Sequence, residues 1–317
     1  MYIKEIRKFF IFFIVFLIFS NIFAARYMEN LDRGVVAVWL GSNRVWVGWR
    51  MLGTDPTSIA FNVYRNGARI NSSPITTVTY YIDTAGSQTA SYYIRPVIDG
   101  IEQSATNSVT PWSTFYRTIP LQIPPGGISP DGVAYTYDAN DCSVGDLDGD
   151  GEYEIVLKWD PTNSKDNSQS GYTGNVYLDA YKLNGTRLWR IDLGINIRAG
   201  AHYTQFMVYD LDCDGKAEMA CKTAPGTRDG TGAYLHTGPA ASDDDSADYR
   251  NSSGYILSGP EYLTVFRGTN GAEIVTVNYV PARGTVSSWG DSYGNRVDRF
   301  LACIAYLDGV RPSLIMQ

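Results

Sequence analysis

An acidic turn is written twice in this chain, 64 residues apart, and it limits the fold more than any other feature. Asp146 to Asp160 aligns with Asp210 to Ala224, and seven of the fifteen positions are identical. Asp146, Leu147, Asp148, Asp150, Gly151, Glu154 and Lys158 pair with Asp210, Leu211, Asp212, Asp214, Gly215, Glu218 and Lys222. Each copy reads D-x-D-x-D-G with an acid at position nine, spacing oxygens as the first part of an EF-hand loop does. Position seven is Glu152 in one copy and Lys216 in the other, a change that only a backbone carbonyl contact tolerates. The expected ligands are therefore Asp146, Asp148, Asp150 and Glu154 with the Glu152 backbone, and Asp210, Asp212, Asp214 and Glu218 with the Lys216 backbone. Hard oxygen donors suit Ca2+. Three or four carboxylates within a few ångströms repel one another without a cation, so binding is coupled to folding of the turn and the role is structural.

A strand-like run precedes each turn, and an apolar run follows it: Ile155-Val156-Leu157 in the first copy and Met219-Ala220-Cys221 in the second. This is a β-hairpin with a metal-holding tip. A decayed third copy stands at Tyr306-Leu307-Asp308-Gly309, where Asp308 takes the place of Asp150 and Asp214. Repeats of a few strands that cannot bury their faces alone imply stacked or radial architecture, and this period fits the blades of a β-propeller. Residues 113–317 supply roughly three blades, whereas a ring needs at least four to remove its edges. The sequence ends inside the strand expected after the third turn, so a truncated propeller is expected.

The 317 residues suffice for two domains. With 44% apolar and 19% charged residues, 23 Tyr and 7 Trp, an all-β chain with a sizeable core is expected. Residues 26–112 alternate with the period of strands, as in Val45, Val47 and Trp49, and Asn66-Gly67 and Asp99-Gly100 suit tight hairpins. Some six short strands in that length predict a small β-sandwich of the fibronectin type III kind, with no catalytic constellation. Pro120 to Asp131, rich in proline and glycine, reads as a linker or boundary loop.

Residues 1–25 read as a secretory signal peptide: Lys4, Arg7 and Lys8 lead into the apolar stretch Phe9 to Phe19, with Ala24 and Ala25 after it. The mature protein is expected to be secreted, extracellular, off the membrane after cleavage, and monomeric. Removing the leader takes away three positive charges and one negative (Glu5), moving the formal charge from −7 to −9. That balance argues against a nucleic-acid partner, which needs lysine and arginine against phosphate. Four cysteines allow three pairings, and the sequence does not choose between free thiols and one disulfide. No CxxC spacing is present and His202 and His236 are the only histidines, which speaks against zinc.

A hairpin returns to the end from which it started, so residues far from the acidic tips share the opposite rim. The first hairpin brings Asn140 and Asp141 toward Lys158, Trp159 and Asp160; the second brings His202, Tyr203 and Thr204 toward Lys222 and Thr223. The third adds Asp298 and Arg299. Such a mixture of ionisable groups suits an acidic sugar and a metal. Ala224 to Gly259 reads as a long loop on that rim, and its Asp243–Asp248 cluster as a solvated charged loop.

The segments NDCSVGDLDGDGEYEIVLKWDPTNSKDNS, NIRAGAHYTQFMVYDLDCDGKAE, SGPEYLTVFRG and WGDSYGNRVDRFLACIAYLDG resemble the rhamnogalacturonan lyases of polysaccharide lyase family eleven, from about Arg26 to the last residue. The resemblance implies an eight-bladed calcium-binding β-propeller behind a fibronectin-like module, cleaving the rhamnose-galacturonate backbone of pectin (rhamnogalacturonan I) by β-elimination. It implies substrate or metal contacts at Asn140, Asp141 and His202, to which the rim adds Lys158, Lys222 and Arg299 as substrate contacts. It places the proton-transfer residues beyond residue 317, so the present chain alone is expected to be inactive. Cys213 stands where the first copy has Gly149, which puts the second loop's geometry in question. The rival reading is a non-catalytic calcium-dependent adhesion or carbohydrate-binding propeller. A glycoside hydrolase lacks a clear acid and base pair.

Overall fold

The computed structural model describes residues 26–316, so the expected signal peptide, residues 1–25, lies outside the described residues. The chain is all-β. Seven short strands come first: β1 (Val36–Gly41), β2 (Arg44–Gly48), β3 (Ala60–Arg65), β4 (Ala68–Arg69), β5 (Tyr80–Asp83), β6 (Tyr92–Ile98) and β7 (Ile101–Glu102). They form a three-stranded sheet, β1-β2-β5, and a four-stranded one, β4-β3-β6-β7. Both sheets bury their inward positions in one core: Ala37, Val45 and Val47 from the first, Phe61, Val63, Tyr92 and Ile94 from the second. Asn66 and Gly67 take φ of 50° and 86°, and Asp99 and Gly100 take 50° and 80°, the left-handed pair that a two-residue hairpin turn needs. Ser42 and Asn43 do the same between β1 and β2 at 50° and 58°, a third such turn, in which neither central residue is glycine.

After a small hairpin, β8 (Gly127–Ile128) with β9 (Ala134–Tyr135), come two four-stranded antiparallel sheets whose spatial order is their chain order. The first holds β10 (Tyr137–Gly145), β11 (Glu154–Pro161), β12 (Tyr177–Tyr181) and β13 (Arg187–Asp192). The second holds β14 (Phe206–Tyr209), β15 (Glu218–Thr223), β16 (Tyr262–Phe266) and β17 (Glu273–Asn278). A last pair, β18 (Ala302–Ala305) and β19 (Ser313–Met316), encloses Asp308. Leu147, Val156, Leu178 and Ile191 of the first sheet share a core with Phe206, Met219, Tyr262 and Phe266 of the second. Each large apolar side chain so buried contributes roughly 1.5–3 kcal/mol.

The Pro120–Asp131 crossing is more than a spacer. The Tyr181 hydroxyl accepts the Gln122 N–H at 3.1 Å, and Arg190 donates to the Gln122 carbonyl at 2.5 Å. The 224–259 excursion is irregular apart from a 3-10 turn at Gly238–Ser242, yet Leu235, Ala240 and Ile256 are buried. Three spaced apolar side chains anchor it, too few to show as a pattern in sequence. All four cysteines are free thiols, and burial pushes the Cys221 thiol well up. Among the described residues no helix is long and apolar enough to cross a membrane.

Candidate functional site

The acidic turns close the β10–β11 and β14–β15 hairpins in matching form. The Asp146 carboxylate, fully buried, accepts the N–H groups of Gly149 (2.7 Å), Asp150 (3.1 Å) and Gly151 (2.9 Å). Asp210 accepts those of Asp214 (3.1 Å) and Gly215 (3.0 Å). From the far side Glu154 accepts the Leu147 N–H at 2.8 Å, and Glu218 the Leu211 N–H at 2.8 Å. Cys213 adopts φ of 68° where Gly149 adopts 82°, so the second loop keeps its shape despite the exchange.

One oxygen each from Asp146, Asp148 and Glu154 lies within 4.8 Å of the others, and Asp210, Asp212 and Glu218 repeat the arrangement. Burial pushes the Glu154 and Glu218 carboxyls up to about 7, with the neighbouring Asp148 and Asp212 charges adding to the rise. One Asp148 oxygen is buried and has no hydrogen-bond partner. Crowded carboxylates, the outer two of each trio buried, with an orphaned oxygen in the first, are what a hard divalent cation satisfies, so the residues fit calcium. Asp150 and Asp214 stand outside the tight trios, and the Glu152 and Lys216 side chains are exposed, that of Lys216 lying across Gly149 of the first turn.

On the opposite rim, the β10–β11 register slips between Ala139 and Cys142, so Asn140 and Asp141 bulge opposite Lys158. The Lys158 side chain is only 1% exposed, and its ammonium lies 2.9 Å from Asp141 and 3.5 Å from the Tyr203 carbonyl. Asn140 lies 3.5 Å from Asp160, whose other carboxylate oxygen is buried without a partner. Burial raises the Asp160 carboxyl, with Lys158 working against the rise.

Lys222 contacts Glu261 and lies 3.1 Å from Asp298. Arg283 joins Glu261 at 2.6 Å, and a cavity of about 20 Å³ opens between Lys222, Tyr203, Thr204, Arg283, Asp298 and Phe300. His202, half exposed, pairs with Asp166, which Arg299 approaches to 3.6 Å. The six expected contact residues thus stand in three linked ionic groups. Trp159 is buried and donates to Asp179 at 2.9 Å, so it serves the sheet rather than the rim.

Sequence reasoning missed Asp166 and Glu261, which hold the rim's cations in place, and Arg283, a further cation on Glu261. Glu261 directly precedes β16, and counting strand ends would have found it; Asp166 and Arg283 sit in irregular segments with no such signal. The Asp243–Asp248 acids are dispersed: Asp243 accepts the Tyr262 hydroxyl, Asp244 is capped by Ser246, and Asp248 pairs with Arg250.

Two family models cover the described chain. Rhamnogalacturonan I lyases beta-sheet domain matches residues 26–112, and Rhamnogalacturonan lyase family 11, C-terminal domain, matches residues 116–317. The chain belongs to rhamnogalacturonan lyase family 11. Rhamnogalacturonan endolyase YesW of Bacillus subtilis (strain 168) is 61% identical over 293 residues, covering 92% of this chain and 46% of that protein. Rhamnogalacturonan exolyase YesX of the same organism is 56% identical over 291 residues, again 92% and 46%. The crystal structure of the exotype lyase YesX superposes with a TM-score of 0.86. That of a Bacillus licheniformis rhamnogalacturonan lyase superposes with 0.85 at 63% identity, over 92% of this chain and 49% of that one. The chain spans about half the length of the relatives it matches.

Proposed function

We propose that the full-length protein is a secreted rhamnogalacturonan lyase that cleaves the rhamnose-galacturonate backbone by calcium-assisted β-elimination. The observation that carries this reading is the identity of 61% and 56%, over 92% of the chain, to proteins named as a rhamnogalacturonan endolyase and exolyase. Residues 26–112 form an accessory sandwich of fibronectin type III kind, supported by two sheets around one core. Residues 113–317 begin a calcium-binding propeller, supported by two successive four-stranded meanders and a third started pair.

Within that reading the charged rim receives the polymer. His202 and Arg299, the exposed cations, meet uronate carboxylates, Asn140 and Asp141 meet sugar hydroxyls, and the buried Lys158 and Lys222 hold the acids of the rim in place. Each cation is already oriented by an acid of the rim, so little side-chain entropy is lost when substrate arrives. A divalent cation against the uronate carboxylate supplies electrostatic stabilisation of the charge that develops as the C5 proton leaves. Asp146, Asp148 and Glu154, with Asp210, Asp212 and Glu218, hold separate ions that fix the hairpin tips. We assign the proton-abstracting base to none of the described residues. The adhesion reading has no specific observation in its favour.

The test is to add the full-length protein to rhamnogalacturonan and follow the ultraviolet absorbance of an unsaturated uronate, with and without a calcium chelator. An absorbance rise that the chelator abolishes is expected. No rise in calcium refutes the lyase reading.

A further inference from the structure

The two acidic turns carry the same ligand types but face different neighbours. Lys182 is the residue immediately after β12, where Tyr181 pairs with Ile155 of β11. Its backbone is fixed in the next hairpin turn, with the Lys182 N–H donating to Thr186 at 2.9 Å and the Gly185 N–H returning to the Lys182 carbonyl at 2.9 Å. From there the side chain runs to the first acidic turn. Its ammonium lies 2.5 Å from Asp148, 3.0 Å from Asp150 and 3.8 Å from Glu154, with 28% of the side chain exposed.

The matching position in the second sheet is Arg267, since Phe266 pairs with Met219 as Tyr181 pairs with Ile155. Its backbone makes the corresponding turn, donating to Ala272 at 2.8 Å and accepting from Gly271 at 2.8 Å. Its side chain is exposed. Among the described residues no lysine, arginine or histidine nitrogen comes within 4.0 Å of a carboxylate of Asp210, Asp212, Asp214 or Glu218.

We propose that Lys182 is a tethered counter-ion that closes the first acidic turn without metal and competes with a divalent cation for it, so that the second turn binds calcium more tightly. The proposal rests on the calcium reading given above. Its physical basis is that calcium draws six to eight oxygens to about 2.3–2.6 Å. The ammonium occupies the point where the Asp148, Asp150 and Glu154 oxygens converge, and two cations repel too strongly to share it. A metal enters only if the lysine swings out on its four-carbon stem, which solvent access to the side chain permits. Among the described residues the second turn has no cation within 4.0 Å of its carboxylates to expel.

The experiment compares full-length wild type with Lys182→Met, in chelator and in a calcium titration read by calorimetry and by thermal melting. In chelator the variant is expected to melt several degrees lower, because the first turn loses the one cation that lies within 4.0 Å of its carboxylates among the described residues. In calcium it is expected to gain one binding step, or to tighten one by about tenfold, near 1.4 kcal/mol. Lys182→Met with Asp148→Asn added should lose that gain, placing it at the first turn, and Arg267→Met should leave the isotherm unchanged. Equal isotherms for wild type and Lys182→Met, or equal melting in chelator, overturn the proposal alone. Absence of calcium binding by both proteins overturns it together with the calcium reading.

Discussion

Removing Asp141 should cost more stability than removing its partner Lys158, although Asp141 is the residue on the surface. The Lys158 side chain is 1% exposed and that of Asp141 64% exposed, at 2.9 Å from each other. Asp141→Ala leaves an ammonium buried with only the Tyr203 carbonyl at 3.5 Å and the nearby Asp160. Breaking a fully buried pair costs about 3–5 kcal/mol. Because water already reaches Asp141 and Asp160 remains, about 2 kcal/mol is expected here, a fall in melting temperature of roughly 4–8 °C for a domain of this size. Lys158→Met keeps most of the buried volume and leaves Asp141 to water, so it should cost less than about 1.5 kcal/mol. The double variant should melt close to Lys158→Met. Thermal unfolding of the three variants in saturating calcium decides the matter, with polymer affinity measured beside it, which Lys158→Met is expected to weaken. If Lys158→Met melts at or below Asp141→Ala, the reasoning from unequal burial is wrong.

Asp212→Ala is expected to lower the melting temperature in calcium and to remove most of the difference between calcium and chelator at the second turn; unchanged melting would remove the metal assignment there. Gly268→Ala places a methyl group 1.9 Å from the Ala217 carbonyl and 2.9 Å from that of Leu147, so backbone must move. A loss of about 3 kcal/mol or more is expected by urea titration, and a wild-type midpoint would contradict the packing. Hydrogen bonds from Tyr92 (2.7 Å), the Ala85 N–H (3.0 Å) and Arg65 (2.7 Å) outweigh burial and hold the Asp83 carboxyl below its usual 3.8. A carboxyl depressed in the folded state stabilises above its unfolded value and loses that contribution as pH falls through the folded one. Melting of wild type should therefore drop below about pH 4 more steeply than melting of Asp83→Asn.

The acidic turns were legible because their chemistry is local: five oxygens and a glycine at fixed spacing dictate the same loop wherever they occur. Hairpin geometry then carried Asn140, Lys158, His202, Lys222 and Arg299 to one rim, since strand register converts sequence distance into position. Register says nothing of which acid faces which cation. Asp166 and Arg283 reach the rim from irregular segments, and Lys182 reaches the first turn from a strand end 28 residues past Glu154, so their partners follow only from tertiary packing. The two turns carry the same acids in sequence for the same reason, and the cation that sets them apart comes from the neighbouring strand end.

The strap ahead of β1 shows how the N-terminal pair of sheets is held without obstructing the charged rim. Asp32 donates its N–H to the Gly151 carbonyl at 2.9 Å, and the Glu29 carboxylate accepts the Asp146 N–H at 2.9 Å. Further back, Tyr27 donates to the Val310 carbonyl at 3.0 Å and accepts from the Tyr306 hydroxyl at 2.5 Å. The Arg50 guanidinium completes the contact from the sandwich side, 4.4 Å over the Tyr153 ring. All of these partners belong to the acidic tips of the first and third hairpins. Burial raises the Glu29 carboxyl, with the Asp146 and Asp210 charges adding to the rise, so the strap brings another acid to tips already rich in them. A cation in those turns would therefore stabilise the docking of the sandwich as well as the hairpins, while the opposite rim, with Lys158, Lys222 and Arg299, stays clear of the strap.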